Sequence, residues 1–312
     1  MQNFRDILYV SHGISEETEP LKQALNLASH NQAKVNALIV CPAFPPAMQI
    51  YQEQYEISLK QRLEKLIQNT KQELTNAAGE LVVNITVESG EAPADRVIRY
   101  VLRNAFDLVI KQAEQQENSK GFKAIDMELL RKCPCPVWLC RPSAHSVNET
   151  CVAVAIDPEN QMPAARDLSL RLLMLSRSLA DKFNSQLTVI SCWDYEFEGY
   201  LHHSALTQIT EEEIKNIVMN TQHHHRLELD ELIRQSGITG RLQVHHIRGR
   251  AEEMIPQYVE NQNIDILVMG TLARTGIAGF FIGNTAENIV QKLNCSLVAL
   301  KPNGFVSPVK AY

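Results

Sequence analysis

The residues best placed to do chemistry lie between 270 and 287, in Gly270-Thr271-Leu272-Ala273-Arg274-Thr275-Gly276-Ile277-Ala278-Gly279-Phe280-Phe281-Ile282-Gly283-Asn284-Thr285-Ala286-Glu287. Four of the thirteen glycines fall in this stretch, a crowding that asks for a backbone explanation. Glycine accepts positive φ and lets the main chain approach a ligand, so that amide N–H groups can surround phosphate oxygens. A helix predicted to start near Asn284 adds its N-terminal amides and the positive end of its dipole. The segment is built like a phosphate cradle. It has neither the Gly-Lys-Ser/Thr of a Walker loop nor the Gly-x-Gly-x-x-Gly of a dinucleotide fold. A scaffolding reading stands beside this one: the glycines can simply end a strand, and Asn284 with Glu287 has the form of a capping box.

Other reactive residues point less clearly to a site. Seven of the ten histidines fall between 202 and 246, as His202-His203, His223-His224-His225 and His245-His246. His224 and Glu228, at i and i+4 on a predicted helix, form half a zinc site, yet neighbouring histidines point in different directions and a polar, partly exposed face is the plainer reading. Cys133-Pro134-Cys135 leaves one residue between its thiols, where a zinc knuckle has two. There is no Gly-x-Ser-x-Gly elbow, and Glu211-Glu212-Glu213 reads as the first turn of a helix. No catalytic residue and no metal ligand is assigned.

The elements that must carry these residues follow from a repeat. Gly90-Glu91-Ala92, then Val97, Ile98, Tyr100, Val101 and Asp107-Leu108-Val109-Ile110, recurs as Gly249-Arg250-Ala251, Met254, Ile255, Tyr258, Val259 and Asp265-Ile266-Leu267-Val268. Cys135 to Pro142 likewise recurs as Cys295 to Pro302. At roughly 150 residues per domain, 312 residues divide into two: a first domain over 1–142, a polar linker over 143–150 and a second domain over 151–312. Strands are expected at 6–11, 35–41, 81–87, 107–111 and 137–140, then at 151–156, 187–192, 242–247, 264–269 and 296–300. Between them run helical stripes: Leu21, Ala24, Leu25 and Ala28; Tyr55, Leu59, Leu63, Leu66 and Leu74; Leu168, Leu172, Leu175 and Leu179. Strand-helix alternation predicts an α/β fold, two tandem doubly wound, Rossmann-like domains, each a five-stranded mainly parallel sheet flanked by helices. Such sheets bind ligands beyond the carboxyl ends of the strands, where strand order reverses.

Composition narrows the function classes. With 45% hydrophobic and 21% charged residues the chain is an ordinary globular protein, and its net charge of −6 repels nucleic acid and anionic lipid. No basic-then-apolar leader opens it, no apolar run reaches the roughly 20 residues that span a bilayer, and seven cysteines sit mostly among apolar residues. A cytoplasmic location is expected, without nucleic-acid or membrane partners.

Gly270, two residues, Ala273, nine residues, then Gly283-Asn284-Thr285 resembles the nucleotide motif of the universal stress protein family: glycine, two residues, glycine, nine residues, glycine and a hydroxyl residue. The resemblance covers both halves. It implies that Asp157, after the first strand of domain 2, contacts an adenosine moiety, with Ala155, Ile156 and Val189 around the base and Met269, Gly270, Leu272, Ala273, Arg274, Gly283, Asn284 and Thr285 around the rest of an ATP or AMP. Ala273 and Asn284 depart from the pattern. In the first half Lys111 is matched to Gly270, Lys123 to Gly283, Ala124 to Asn284 and His12 to Asp157, so that half is expected to bind no nucleotide, its lysines being solvated rather than forming an anion pocket. The family pairs through its last strands, here 137–140 and 296–300, which implies intramolecular domain pairing, further assembly into a homodimer and a protein partner the sequence does not name. The function implied is a non-enzymatic stress response with a regulatory ATP or AMP site; slow ATP hydrolysis or phosphate transfer, and a small apolar or lipid-like ligand in the first half, are the alternatives.

Overall fold

Short β-branched runs and amphipathic helices alternate along the chain, and a computed structural model shows how they assemble. It describes residues 4–14, 17–74, 80–114, 120–143, 149–203, 209–271 and 282–312. The first half runs β1 (Asp6–Ser11), α1 (Thr18–Asn31), β2 (Lys34–Cys41), a 3-10 turn, α2 (Gln52–Glu73), β3 (Val83–Ser89), α3 (Pro93–Asn104), β4 (Leu108–Gln112), α4 (Ala124–Lys132) and β5 (Val137–Cys140). The second runs β6 (Val152–Ala155), α5 (Pro163–Lys182), β7 (Leu187–Trp193), α6 (Glu198–His203), α7 (Glu211–Ser236), β8 (Leu242–Arg248), α8 (Ala251–Asn261), β9 (Ile266–Gly270), α9 (Asn284–Val290) and β10 (Ser296–Leu300).

The ten strands among the described residues lie in one sheet, in the order β3-β2-β1-β4-β5-β10-β9-β6-β7-β8. Pairing is parallel within each half, and at the seam β5 and β10 run antiparallel, with Leu139 opposite Leu297 and Trp138 opposite Val298. The α/β architecture is therefore two tandem doubly wound units. Central strands such as Ile7-Leu8-Tyr9-Val10 are buried on both faces, as a parallel sheet requires. One apolar layer packs α1, α2, α5 and α7 on one face; the other packs α3, α4, α8 and α9 on the opposite face.

The repeat is also visible in backbone detail. Gly90 and Gly249 hold φ of 140° and 131°, where a side chain is strained, and their amides bond to the carbonyls of Cys41 and Trp193 at 3.1 and 2.8 Å. The Asp107 carboxylate accepts the N–H groups of Arg5 and Asp6 at the start of β1, and Asp265 accepts that of Cys151 just before β6. Several strand edges differ by one or two residues from the sequence expectation, β9 spanning Ile266–Gly270 rather than 264–269 and the third strand Val83–Ser89 rather than 81–87. Leu81 gives its carbonyl to Lys71 and Val82 is exposed, so pairing with β2 starts at Val83. Of the linker, residues 144–148 lie outside the described residues.

Candidate functional site

In the second half, strand order reverses between β6 and β9, so the carboxyl ends of these neighbours diverge into loops on opposite sides. A cavity of about 470 Å³ opens there. The end of β6 and the turn after it contribute Ala155, Ile156, Asp157 and Asn160; β9 contributes Met269 and Gly270. Gly283, with Asn284 and Thr285 of α9, closes a further side. Leu168 and Leu172 of α5, Cys192 of β7 and Ile255 of α8 complete an apolar wall that lies outside the glycine motif. Leu168 and Leu172 were visible as a helical stripe, but a stripe alone does not separate a cavity wall from core. Val189 is not on this wall: it is fully buried in the core beneath α5 and α7. Leu272, Ala273 and Arg274, like Gly276 and Gly279, lie outside the described residues.

Local geometry explains why particular residues stand here. A Cβ on Gly270 would meet Leu168 Cδ2 at 2.8 Å, so glycine lets α5 approach the strand end. Gly283 has φ of −61°, an extended conformation open to any residue, so positive φ is not its reason. Gly283 is itself the N-cap of α9 and no side chain caps that helix; Asn284 is the first helical residue, so the capping-box reading of Asn284 and Glu287 does not hold. The Asp157 carboxylate accepts the amide of Glu159 at 3.2 Å, fixing the turn after β6. Asp157 carries the one carboxyl group among the described lining residues, and burial pushes the Cys192 thiol up to about 12, with Glu252 adding to the effect. This wall suits an apolar, flat group with a hydrogen-bonding edge, and its thiol is a poor nucleophile at neutral pH.

The first half differs at the same place, and strand register corrects the sequence matching. Ile7 pairs with Leu108 as Val152 pairs with Ile266, which sets Lys111 against Met269 and Gln112, not Lys111, against Gly270. Lys111 is not solvated. It is 1% exposed, its Nζ lies 2.9 Å from Oδ1 of the fully buried Asp126, and it also donates to the Gln112 carbonyl. Asp126 Oδ2 accepts the Glu114 amide at 2.9 Å, and Glu114 reaches His12 at 3.4 Å. Asp126 stands where the second half has Ala286. Two positions that line the cavity in one half, Met269 and Ala286, are thus an internal ion pair in the other. Lys123 is exposed at the start of α4.

The described histidines do not gather into a ligand set. Glu228 is engaged by Gln161 and Arg166 rather than standing free for His224. The buried His225 shares a 2.8 Å hydrogen bond with His246, while the His245 ring packs at a tilt against Tyr258. The side chains of His202 and His203 lie outside the described residues. Among the described residues no group of three His, Cys, Asp or Glu is placed to hold a metal ion.

Comparison with known proteins agrees with this architecture. A family model described as the Universal stress protein family matches residues 3–141 and 152–301. The chain belongs to the universal stress protein family. It is 27% identical to Universal stress protein E of Photorhabdus laumondii, over 100% of this chain and 99% of that one. It is 26% identical to the Universal stress protein E homolog of Haemophilus influenzae, over 96% and 98%. A solved putative universal stress protein from Pseudomonas aeruginosa superposes with a TM-score of 0.71 at 22% identity, covering 97% of this chain and 95% of that one, which speaks for the fold. Both universal stress protein domains are therefore present. No helix among the described residues is long and apolar enough to cross a membrane.

Proposed function

We propose that this chain is a non-enzymatic stress-response protein whose second domain holds ATP or AMP as a regulatory ligand. The observation that carries this reading is the cavity between β6 and β9, where Asp157 faces the same space as Gly283, Asn284 and Thr285. Its volume of about 470 Å³ lies in the range of small-molecule sites, roughly 300–1,000 Å³. The apolar wall is suited to a base and Asp157 to ribose or base donors. Membership of a stress protein family supports the stress-response role. The non-enzymatic part rests on the described wall, where the thiol is held protonated and Asp157 is already committed to a turn. A cytoplasmic setting fits the seven free thiols.

Calorimetric titration of ATP and AMP into the full chain and into Asp157→Ala tests this. One site per chain, weakened at least about tenfold by the substitution, is expected, since a charge-assisted hydrogen bond contributes about 1.5–3 kcal/mol. No binding heat, or equal affinity in both proteins, would overturn the site. Phosphate release abolished by Asp157→Ala would replace the regulatory reading with an enzymatic one.

A further inference from the structure

We propose that Cys133 and Cys135 are a redox-active dithiol, converted by small hydroperoxides into a reversible intramolecular disulfide. The two sulfurs lie 3.6 Å apart in the short connection between α4 and β5. A disulfide bond is about 2.05 Å long, so the sulfurs must close by roughly 1.5 Å, a movement within reach of side-chain rotation. The connection is stiff: Cys133 N–H is bonded to the Leu129 carbonyl at 2.9 Å, and Pro134 and Pro136 follow the two cysteines. The backbone of the connection thereby holds the two thiols beside each other. No third His, Cys, Asp or Glu joins them among the described residues, which separates this pair from a metal site. Cys133 is fully buried and Cys135 is 8% exposed, so a molecule as small as hydrogen peroxide meets Cys135 first. The other buried thiols are placed differently: Cys41 donates to the Glu88 carbonyl, and Cys140 and Cys295 sit in the apolar layers on either side of the sheet.

The reaction balances in two steps. The Cys135 thiolate attacks one peroxide oxygen; an S–O bond forms, the O–O bond breaks, and the departing oxygen leaves as water or an alcohol after taking a proton. Sulfur is oxidised to the sulfenic acid and the peroxide is reduced. The Cys133 sulfur then attacks the sulfenic sulfur; the S–S bond forms, the S–O bond breaks, and hydroxide leaves as water with the Cys133 proton. Contact with Cys133 and burial push the Cys135 thiol well above its usual range, so the first step is slow at neutral pH. Its rate climbs about tenfold per pH unit below that range, because only the thiolate reacts. Closure tightens the end of α4, where the Arg131 carbonyl accepts Lys301 of the second domain at 3.2 Å and the Arg131 guanidinium pairs with Glu287.

The test uses the full chain: hydrogen peroxide under native conditions, then unfolding in urea, alkylation with iodoacetamide and peptide mapping. The peptide holding Cys133 and Cys135 is expected to lose both labels and two hydrogens, to regain both labels after dithiothreitol, and to convert about tenfold faster per pH unit. In Cys135→Ser, Cys133 keeps its label. The proposal fails if both cysteines stay labelled at peroxide doses that oxidise the half-buried Cys151. It fails equally if Cys135 ends as sulfinic or sulfonic acid beside a labelled Cys133, or if the bridge forms only when oxidant is added in urea.

Discussion

Replacing Asp126 by alanine should be among the most damaging single changes in the first domain, and replacing Lys111 as well should undo most of the damage. The pair is separated by 2.9 Å with both side chains at 2% exposure or less. At an effective dielectric constant near 20, two unit charges at that distance attract by about 6 kcal/mol, most of which offsets the cost of taking both from water. Asp126→Ala removes the attraction and leaves Lys111 buried beside nothing of opposite charge but Glu114, 3.9 Å away, so a loss of about 3–5 kcal/mol is expected. The double variant Lys111→Met with Asp126→Ala installs the combination that the second domain has at the same register, Met269 and Ala286. Both desolvation costs vanish, and what remains is a small void costing about 1 kcal/mol. Urea unfolding followed by fluorescence reports the change, because Trp138, 2% exposed, pairs with Ile110 next to Lys111. If Asp126→Ala costs less than about 1 kcal/mol, or the double variant is as unstable as the single, the pair is not a compensated buried charge and the register argument fails with it.

Gly270→Ala should weaken nucleotide binding about tenfold in calorimetry, about 1.4 kcal/mol, because the new Cβ meets Leu168 at 2.8 Å and pushes that side chain into the cavity. Lys182, at the seam between the domains, is brought down to about 8 by burial, with Cys140 opposing weakly. A base whose folded value lies below its unfolded 10.5 destabilises the fold while it is charged, so its cost is full below pH 8 and fades as pH rises to 10.5. Lys182→Met should therefore stabilise the chain by at most about 3 kcal/mol at pH 7, and the advantage measured by urea unfolding should shrink toward pH 10. A constant advantage across that window would refute the assignment. Thr210→Ala removes the capping box of α7, in which Thr210 and Glu213 bond reciprocally, and should cost about 1 kcal/mol in thermal unfolding.

The sequence made the fold legible because its information is local and repeated. Each strand reads as a short apolar run, each helix as a stripe, and the second copy checks the first. Edges were less legible: β3 starts two residues late because its pairing with β2 and the Lys71 bond to Leu81 decide where extension begins. At the candidate site, Gly270 and Gly283 to Thr285 were legible from the glycine spacing after the fourth strand, and Ala155 to Asp157 from the resemblance to the family, all of them main-chain positions that the strand ends fix beside the switch point. Side-chain walls were not. Whether Val189 or Cys192 faces the cavity depends on which side of the pleat each takes and how α5 and α8 cover it, and the sequence gives only the alternation. The error at Lys111 has the same root. Matching Lys111 to Gly270 is a slip of one residue from the repeat itself, in which Asp107 to Ile110 answers Asp265 to Val268 and sets Lys111 against Met269, and in a strand one residue exchanges the two faces. That slip turned a buried lysine facing α4 into a supposed surface residue at the loop mouth. Hydrogen-bond register of β4 on β1 and of β9 on β6 sets Lys111 and Met269 at the same place without reference to the loops that follow, in agreement with the repeat of Asp107 to Ile110 on Asp265 to Val268.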